Sequence, residues 1–326
     1  MSAAETNDKA MTTRPEVSVL IVTWNTVALT RAAVSSALSC PDSVEREVIV
    51  IDNASTDGTG ERIRSEFPSV RYHWLSENRG FAHANNLAGA LASGRILILL
   101  NSDATLGPGN LKNATDYLAS HPECAVLGAR LLNPDGSLQN SIADDPCLLG
   151  ETINRSLLKR LRRLTRRRAG VSVETPTPVD SVIGAFMAVR RETWTRLGGF
   201  DEAYFFYFEE TDFCARARAA GRKVVHHPSI QVLHHQGSSA SAVKSAARIE
   251  FWRSRYTYFS RHYGPAANRA LGCILPIRLA VSCFVNALAA PFSFRTRERT
   301  RWQLALLRWH FKGKPPSGGI TSRPVW

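Results

Sequence analysis

Several things are missing from this sequence, and each absence removes a class of protein. No two cysteines stand as C-x-x-C: Cys40, Cys124, Cys147, Cys214, Cys273 and Cys283 are scattered, several within apolar runs, so nothing suggests a disulfide framework and reduced, packed thiols are expected. No G-x-G-x-x-G follows the first apolar run and no G-x-x-x-x-G-K-[ST] occurs, which removes the dinucleotide cradle and the P-loop. The first sixteen residues are polar and lack an apolar core, so no secretory signal is expected and the body should stay in the cytoplasm. The most apolar segment, Leu271 to Phe292, is broken by Pro276, Arg278 and Asn286 and falls short of the roughly 20 uninterrupted residues of a span. A membrane-surface or re-entrant helix is expected there, with an ordinary packed helix as the other reading.

Acids are missing from one stretch in particular. Arg155, Lys159, Arg160, Arg162, Arg163, Arg166, Arg167 and Arg168 follow one another with none between them, a second basic set runs from Arg295 to Lys314, and the whole chain carries a formal charge of +13. Such runs favour polyanions: nucleic acid, anionic lipid head groups or phosphorylated substrates. A solvated arm is the plainer alternative. With 326 residues, 44% apolar and 21% charged, the chain can bury a large core, and one large α/β domain with an appendage is the natural expectation.

From Val17 onward short apolar runs alternate with amphipathic segments: Val17 to Thr23, Val27 to Leu38, Glu47 to Ile51, Asp57 to Phe67. That rhythm predicts βαβα units and a largely parallel sheet. Val70 to Leu75 and Ile96 to Leu100 add strands, with helices over Phe81 to Ala92 and Asn110 to Ser120. Asn133-Pro134-Asp135-Gly136 is a turn signal. Beyond the basic stretch, Ser181 to Arg190 reads as strand, Glu192 to Leu197 and Glu209 to Ala220 as helices, Val224 to His226 and Ile230 to His234 as two short strands, and Ser241 to His262 as a long helix. Each early strand runs out into polar residues, where open α/β sheets bind ligands. Without a phosphate cradle, a nucleotide diphosphate can be held through a divalent cation on hard oxygen ligands, and Asp103 is placed for that.

Five blocks together carry a resemblance: VSVLIVTWNT (Val17 to Thr26), VIVIDNASTDGT (Val48 to Thr59), NRGFAHANN (Asn78 to Asn86), LLNSDA (Leu99 to Ala104) and the long block from Ile183 to Arg216. In this order the chain resembles the family 2 glycosyltransferases over about Val17 to Ser239, nearest to the bacterial rhamnosyltransferases that act on lipid-linked acceptors. The resemblance implies an α/β GT-A fold with a mostly parallel central sheet flanked by helices and a helical C-terminal appendage. It also implies a nucleotide-sugar donor, Mg²⁺ or Mn²⁺, and inversion at the anomeric carbon. Thr23 and Asn25 would line the nucleotide pocket and Asp52 would pair with the base, unless Asp52 is a turn or cap residue. Asn78 and Gly80 would shape the loop over ribose and phosphates.

Asn101-Ser102-Asp103 sits at the family's D-x-D position with Asn101 in place of the first carboxylate, so Asp103 alone would carry the cation beside Ser102, weakly until the donor's diphosphate completes the shell. His234, in the pattern His234, Gly237, Ser239, would lie near the metal, although a plain surface or core histidine fits as well. Glu210 falls at the catalytic-base position, where the family usually has Asp; Glu209, Tyr207 and Phe206 would meet the acceptor. Asp212, four residues before Arg216 on a helix, is expected to pair with it and serve structure. Expected divisions are a disordered tail over 1–16, a glycosyltransferase domain over 17–265 (nucleotide-binding half 17–130; acceptor half 131–265 with a basic loop at 151–170), a membrane-associating appendage over 266–312 and a flexible tail over 313–326. The donor is expected to be dTDP-L-rhamnose or a UDP-hexose. The acceptor is expected to be a lipid-linked glycan at the cytoplasmic face of the cell membrane, with no specific nucleic acid partner. The competing classes are a nucleic-acid-binding protein, suggested by Trp252, Arg253, Arg255, Tyr256 and Tyr258, and an inactive nucleotide-sugar sensor.

Overall fold

β1 (Val17–Thr23) is apolar on both faces, and its alternation shows what covers each. Val17, Val19 and Ile21 enter one core cluster, and Leu20 and Val22 the other. The structure is a computed structural model and describes residues 14–152, 174–235, 244–289 and 294–314, with Ile320. α1 (Val27–Ser39), β2 (Arg46–Asp52), α2 (Thr59–Glu66), β3 (Arg71–Trp74), α3 (Phe81–Leu91) and β4 (Ile96–Asn101) follow in order. β2 and β4 flank β1 and β3 lies outside β2, all parallel. Strands buried on both faces read as continuous apolar runs, and that is why these were legible.

Past β4 the sheet becomes mixed. β5 (Ala104–Leu106), α4 (Asn110–Ser120), β6 (Cys124–Leu132), β7 (Ile142–Ala143), α5 (Leu148–Thr152), β8 (Thr177–Pro178), β9 (Ser181–Val182), β10 (Phe186–Arg190), α6 (Arg191–Leu197), α7 (Glu209–Ala219) and β11 (Lys223–His234) complete the body. The order across the main sheet is β3-β2-β1-β4-β10-β6-β11-β5, with β8 also on β11 and a small β7-β9 pair apart. β10 runs antiparallel between β4 and β6, and β5 antiparallel to β11. The two strands expected over 224–226 and 230–234 are one strand, β11, whose register slips between His227 and Gln231 around Pro228, a residue with no N–H for the ladder. The Ser181 to Arg190 strand is likewise divided into β9 and β10.

α8 (Lys244–Ala289) and α9 (Phe294–Phe311) close the chain. α8 breaks direction at Gly264, whose φ of 78° and ψ of −178° are open to glycine, with Pro265 next and Pro276 further on. A third core cluster joins Leu271, Leu275, Leu279 and Cys283 of α8 to Leu306, Leu307 and Trp309 of α9, and reaches the main body through Tyr204. The disordered-tail reading needs correcting at its inner end, because Glu16 donates its N–H to Glu45 O at 2.9 Å and its carbonyl accepts from Ile96 N at 3.1 Å. At the other end, Lys314 N donates to Trp309 O and Nζ lies 3.8 Å from the Tyr256 ring centroid, so residues 313 and 314 are tied down. Glu151 and Thr152 are helical; the basic residues Arg155 to Arg168 lie outside the described residues.

Candidate active site

Register does the first part of the assembly. Thr23 is paired with Asp52 and Val22 with Asn101, so the carboxyl ends of β1, β2 and β4 stop at one level. β5, which the sequence reading missed, does the second part: Ala104 is opposite His234 on β11, and His235 N donates to Asp103 O at 2.9 Å. Asp103 and His234, 131 positions apart in the chain by number, are thereby brought to 3.2 Å between Oδ1 and Nε2, both buried. The other ring nitrogen, Nδ1, is 2.7 Å from Gln139 Oε1, and Gln139 Nε2 donates to His234 O at 3.1 Å and to Asn133 Oδ1 at 2.8 Å. Gln139 thus holds His234 at ring Nδ1 and at its backbone carbonyl and leaves Nε2 toward Asp103. The turn at Asn133 to Gly136 was visible in sequence, and Gly136 N does donate to Asn133 O; nothing in sequence showed that it delivers Gln139 to His234.

These residues open on a cavity of about 750 Å³. Thr23, Asn78, Gly80, Ser102, Asp103, His234, Glu209, Glu210, Tyr207 and Phe206 all line it. Asn25 and Asp52 do not. Asn25 is exposed and its Oδ1 accepts from Thr56 N at 2.8 Å. Asp52 is fully buried, with Oδ1 accepting from Ser55 N at 2.7 Å and Oδ2 from Tyr72 O–H at 2.6 Å. Asp52 thus lies behind the cavity wall and holds a turn, the alternative the sequence allowed, with one hydrogen bond to each oxygen. Its neighbour Asn53 lines the cavity instead, donating to Gly80 O at 3.1 Å and accepting from Arg79 N at 2.9 Å.

Gly80 is required where it is. Its φ is +89°, and a Cβ there would sit 2.6 Å from Phe205 O and 2.7 Å from the Phe205 ring. That close approach, with Phe81 N donating to Phe205 O at 2.7 Å, pins the loop over the cavity to the aromatic segment. Of that segment, Phe200 and Tyr204 are core, while Phe205, Phe206, Tyr207 and Phe208 face the cavity. Tyr207 and Phe208 both have φ of 71°, a conformation costly for bulky residues, and Ser254 Oγ bonds Phe206 O at 2.8 Å to hold it. The strained pair turns the chain into α7 so that its first residues, Glu209 and Glu210, look into the cavity. Acids in a first helical turn are favoured by the N–H groups there.

The two carboxyls differ from the third acid of that turn. Burial, and then the charge of Glu210, pushes Glu209 well above the usual carboxylate range, and burial raises Glu210 as well, opposed by backbone N–H groups that include Gly184's. Among the described residues Oε2 of each is out of contact with solvent and meets no donor, as is Asn101 Oδ1 on the cavity wall, and Trp24 Nε1–H on the same wall meets no acceptor. Asp212 is engaged on every side: Arg216 Nε at 2.7 Å, His262 Nε2 at 2.8 Å and Tyr204 O–H at 3.5 Å. Arg216 also donates to Leu197 O and Gly199 O, so the pair ties α7 to the end of α6. One end of the cavity therefore offers a carboxylate and an imidazole side by side, and the other a poorly solvated carboxyl pair among aromatic faces.

A mixed, mostly parallel α/β sheet with a cleft at the carboxyl ends of its first strands is the class these elements define, and comparison with known proteins names it. The family model Glycosyl transferase family 2 matches residues 18–225, and the chain belongs to that family: it is a glycosyltransferase. Among its relatives is the N-acetylglucosaminyl-diphospho-decaprenol L-rhamnosyltransferase of Mycobacterium tuberculosis, 30% identical over 248 residues that make up 72% of this chain and 80% of that protein. The rhamnosyltransferase WbbL of Escherichia coli is 26% identical over 190 residues, 56% of this chain and 70% of that one. The GT-A architecture is shared with a mannosyltransferase of Pyrobaculum calidifontis solved with GDP-Man and Mn²⁺, at a TM-score of 0.51 and 20% identity over 93% of this chain and 88% of that one. GalNAc-T7, solved with UDP, GalNAc and Mn²⁺, gives 0.53 at 16% identity, over 94% of this chain and 57% of that one.

Proposed function

We propose that the protein transfers L-rhamnose from dTDP-L-rhamnose, with inversion, to a sugar carried on a polyprenyl diphosphate at the cytoplasmic face of the cell membrane. The observation that carries the reading is the pairing, in one cavity, of Asp103 and His234 with the buried carboxyl Glu210. Glu210 takes the proton of the acceptor hydroxyl, the freed oxygen forms the bond to the anomeric carbon, and the bond from that carbon to the diphosphate breaks. A single displacement inverts the carbon. The rhamnosyl donor and the lipid-linked acceptor are inferred from what the relatives are named for.

Asp103 and His234 would hold the divalent cation, Mg²⁺ or Mn²⁺. Their chemistry fits one: a carboxylate oxygen beside an imidazole nitrogen whose far side is fixed by Gln139. Among the described residues no three acid, histidine or cysteine side chains converge, so the donor's diphosphate is needed to complete the shell. When bound, the cation supplies positive charge to the leaving group. Thr23, Ser102, Asn78 and Gly80 shape the donor end, and Phe206, Tyr207 and Glu209 the acceptor end.

Membrane attachment is read from α8. Ile277, Val281, Phe284, Val285 and Leu288 repeat at helical spacing and are 59–66% exposed, while Leu271, Leu275, Leu279 and Cys283 on the other side pack on α9. An exposed apolar stripe of that length suits a lipid surface. The test is transfer from a panel of nucleotide sugars to a membrane lipid extract, scored by labelled product and released nucleotide diphosphate. Rhamnose transfer sensitive to chelator and restored by Mg²⁺ or Mn²⁺ is expected. Transfer only from UDP-hexoses would replace the donor, and full rates in excess chelator would end the metal assignment.

A further inference from the structure

Among the described residues Arg255 is the sole lysine or arginine that lines the cavity; the other charged side chains on its wall are the acids Asp103, Asp144, Asp145, Glu151, Glu209 and Glu210. It projects from α8 and is 6% exposed. Its Nη2 meets the Glu151 carboxylate, which is not reserved for it: Arg278 Nη1 lies 3.6 Å from the same carboxylate and bonds the Glu151 carbonyl. Its Nε is buried and meets no acceptor among the described residues. Its Cζ is 5.8 Å from the ring centroid of Phe251, another wall residue. Burial, then Arg278, lowers the guanidinium to about 10, so it keeps its charge at neutral pH. A buried guanidinium with an N–H left over is costly unless something accepts from it, and its planar fork matches phosphate oxygens.

We propose that Arg255 is the phosphate-recognising group of the acceptor subsite, donating from Nε–H to the diphosphate of the lipid-linked sugar whose hydroxyl reaches Glu210. This rests on the transfer reading above and adds the group that selects a lipid-diphosphate acceptor over a neutral glycoside. Two features favour that anion. Among the described residues the other ionisable groups on the wall are acids and His234, so Arg255 is the one lysine or arginine there to draw an anion. α8 breaks direction at Gly264, and its second half brings Arg278 to the same Glu151 carboxylate, next in the chain to Ile277 at the start of the exposed apolar stripe, which suits the lipid portion of the same ligand.

The test is binding to the full chain in excess chelator, which removes the cation from the donor end, with farnesyl diphosphate, farnesol and inorganic pyrophosphate as probes and titration calorimetry as readout. Farnesyl diphosphate is expected to bind about tenfold or more tighter than either farnesol or pyrophosphate, the scale of a charge-assisted hydrogen bond. Arg255→Lys keeps the charge and loses the Nε–H; it should remove about tenfold of the preference for farnesyl diphosphate and leave farnesol unchanged. Glu151→Gln frees more of the guanidinium and should bind farnesyl diphosphate as tightly as wild type or tighter. Unchanged diphosphate binding in Arg255→Lys overturns the proposal, and so does an equal loss in Glu151→Gln, which would make Arg255 a structural partner only. Pyrophosphate binding as tightly as farnesyl diphosphate overturns the lipid-linked source. Because the readout needs no turnover, a silent transfer assay with Arg255-dependent binding counts against the donor reading, and robust transfer without Arg255 dependence counts against this one alone.

Discussion

Replacing Glu210 by Gln keeps the side chain's shape and its fit against Gly184, where an added Cβ would lie 3.7 Å from Glu210 Cβ, and removes only the basic oxygen. A base that accepts a proton in the transition state contributes about 10²- to 10⁴-fold in rate. At about 1.36 kcal/mol per tenfold that is about 2.7–5.4 kcal/mol of barrier. The structure also says why folding should be spared: among the described residues Oε2 has no hydrogen-bond partner to lose, and burial already disfavours the charged form that the amide replaces. Initial rates at saturating donor with varied acceptor, alongside a thermal melt, separate the two effects. Turnover should fall by that factor with donor KM unchanged and Tm no lower. In the wild type, turnover should rise with pH through an inflection above the ordinary glutamate value of 4.5, since burial holds the proton on, and the inflection belongs to the Glu209–Glu210 pair. That limb should vanish in Glu210→Gln. Glu210→Asp should keep part of the activity and Glu209→Gln should be milder than Glu210→Gln. Wild-type turnover in Glu210→Gln, together with loss in Glu209→Gln or Asp212→Asn, would show that the base is another acid.

Stability should carry the mark of the same pair. Glu209, raised by burial and by Glu210, holds its proton in the folded chain where the unfolded chain has lost it, so the native state binds more protons above pH 4.5 and its stability should fall as pH rises. Urea midpoints between pH 5 and 8 should show that slope in the wild type and a flatter one in Glu209→Gln; identical slopes would mean that Glu209 is ionised normally. Asp212 has the opposite sign: burial raises it, but bonds from His262 and Arg216 outweigh this, so its contribution is present above the usual 3.8 and is lost as pH falls through the lower folded value. Asp212→Asn should cost about 3 kcal/mol, the low end for a broken buried pair because Arg216 is partly exposed, and wild-type melting would refute the tie between α7 and α6. Asp103→Ala should lower turnover severely and abolish its dependence on added Mn²⁺; a variant still rescued by Mn²⁺ would move the cation elsewhere. Val281→Asp with Leu288→Asp should release the protein from anionic vesicles, and unchanged co-sedimentation would leave the α8 stripe without its proposed role.

The parallel half of the fold was written in the sequence because β1, β2 and β4 are covered on both faces, which demands unbroken apolar runs, and their ends at Thr23, Asp52 and Asn101 follow from where those runs stop. The i, i+4 pairing of Asp212 with Arg216 was equally legible, since helical geometry alone fixes it. What the sequence could not decide depends on contacts between distant segments. Asp52 has the residue type and place of a ligand group, and only the structure shows that Tyr72, 20 positions on, and the Ser55 N–H each bond one of its oxygens behind the cavity wall. The pairing of Asp103 with His234 needed β5, a strand of three residues too short for any periodicity to reveal, and the hold on His234 by Gln139 spans 95 positions. Arg255 read as one base among aromatics on a helix. Only the packing of α8 against Glu151, 104 positions earlier, made it a buried cation on the cavity wall, because burial and charge balance belong to the tertiary structure and not to any stretch of chain.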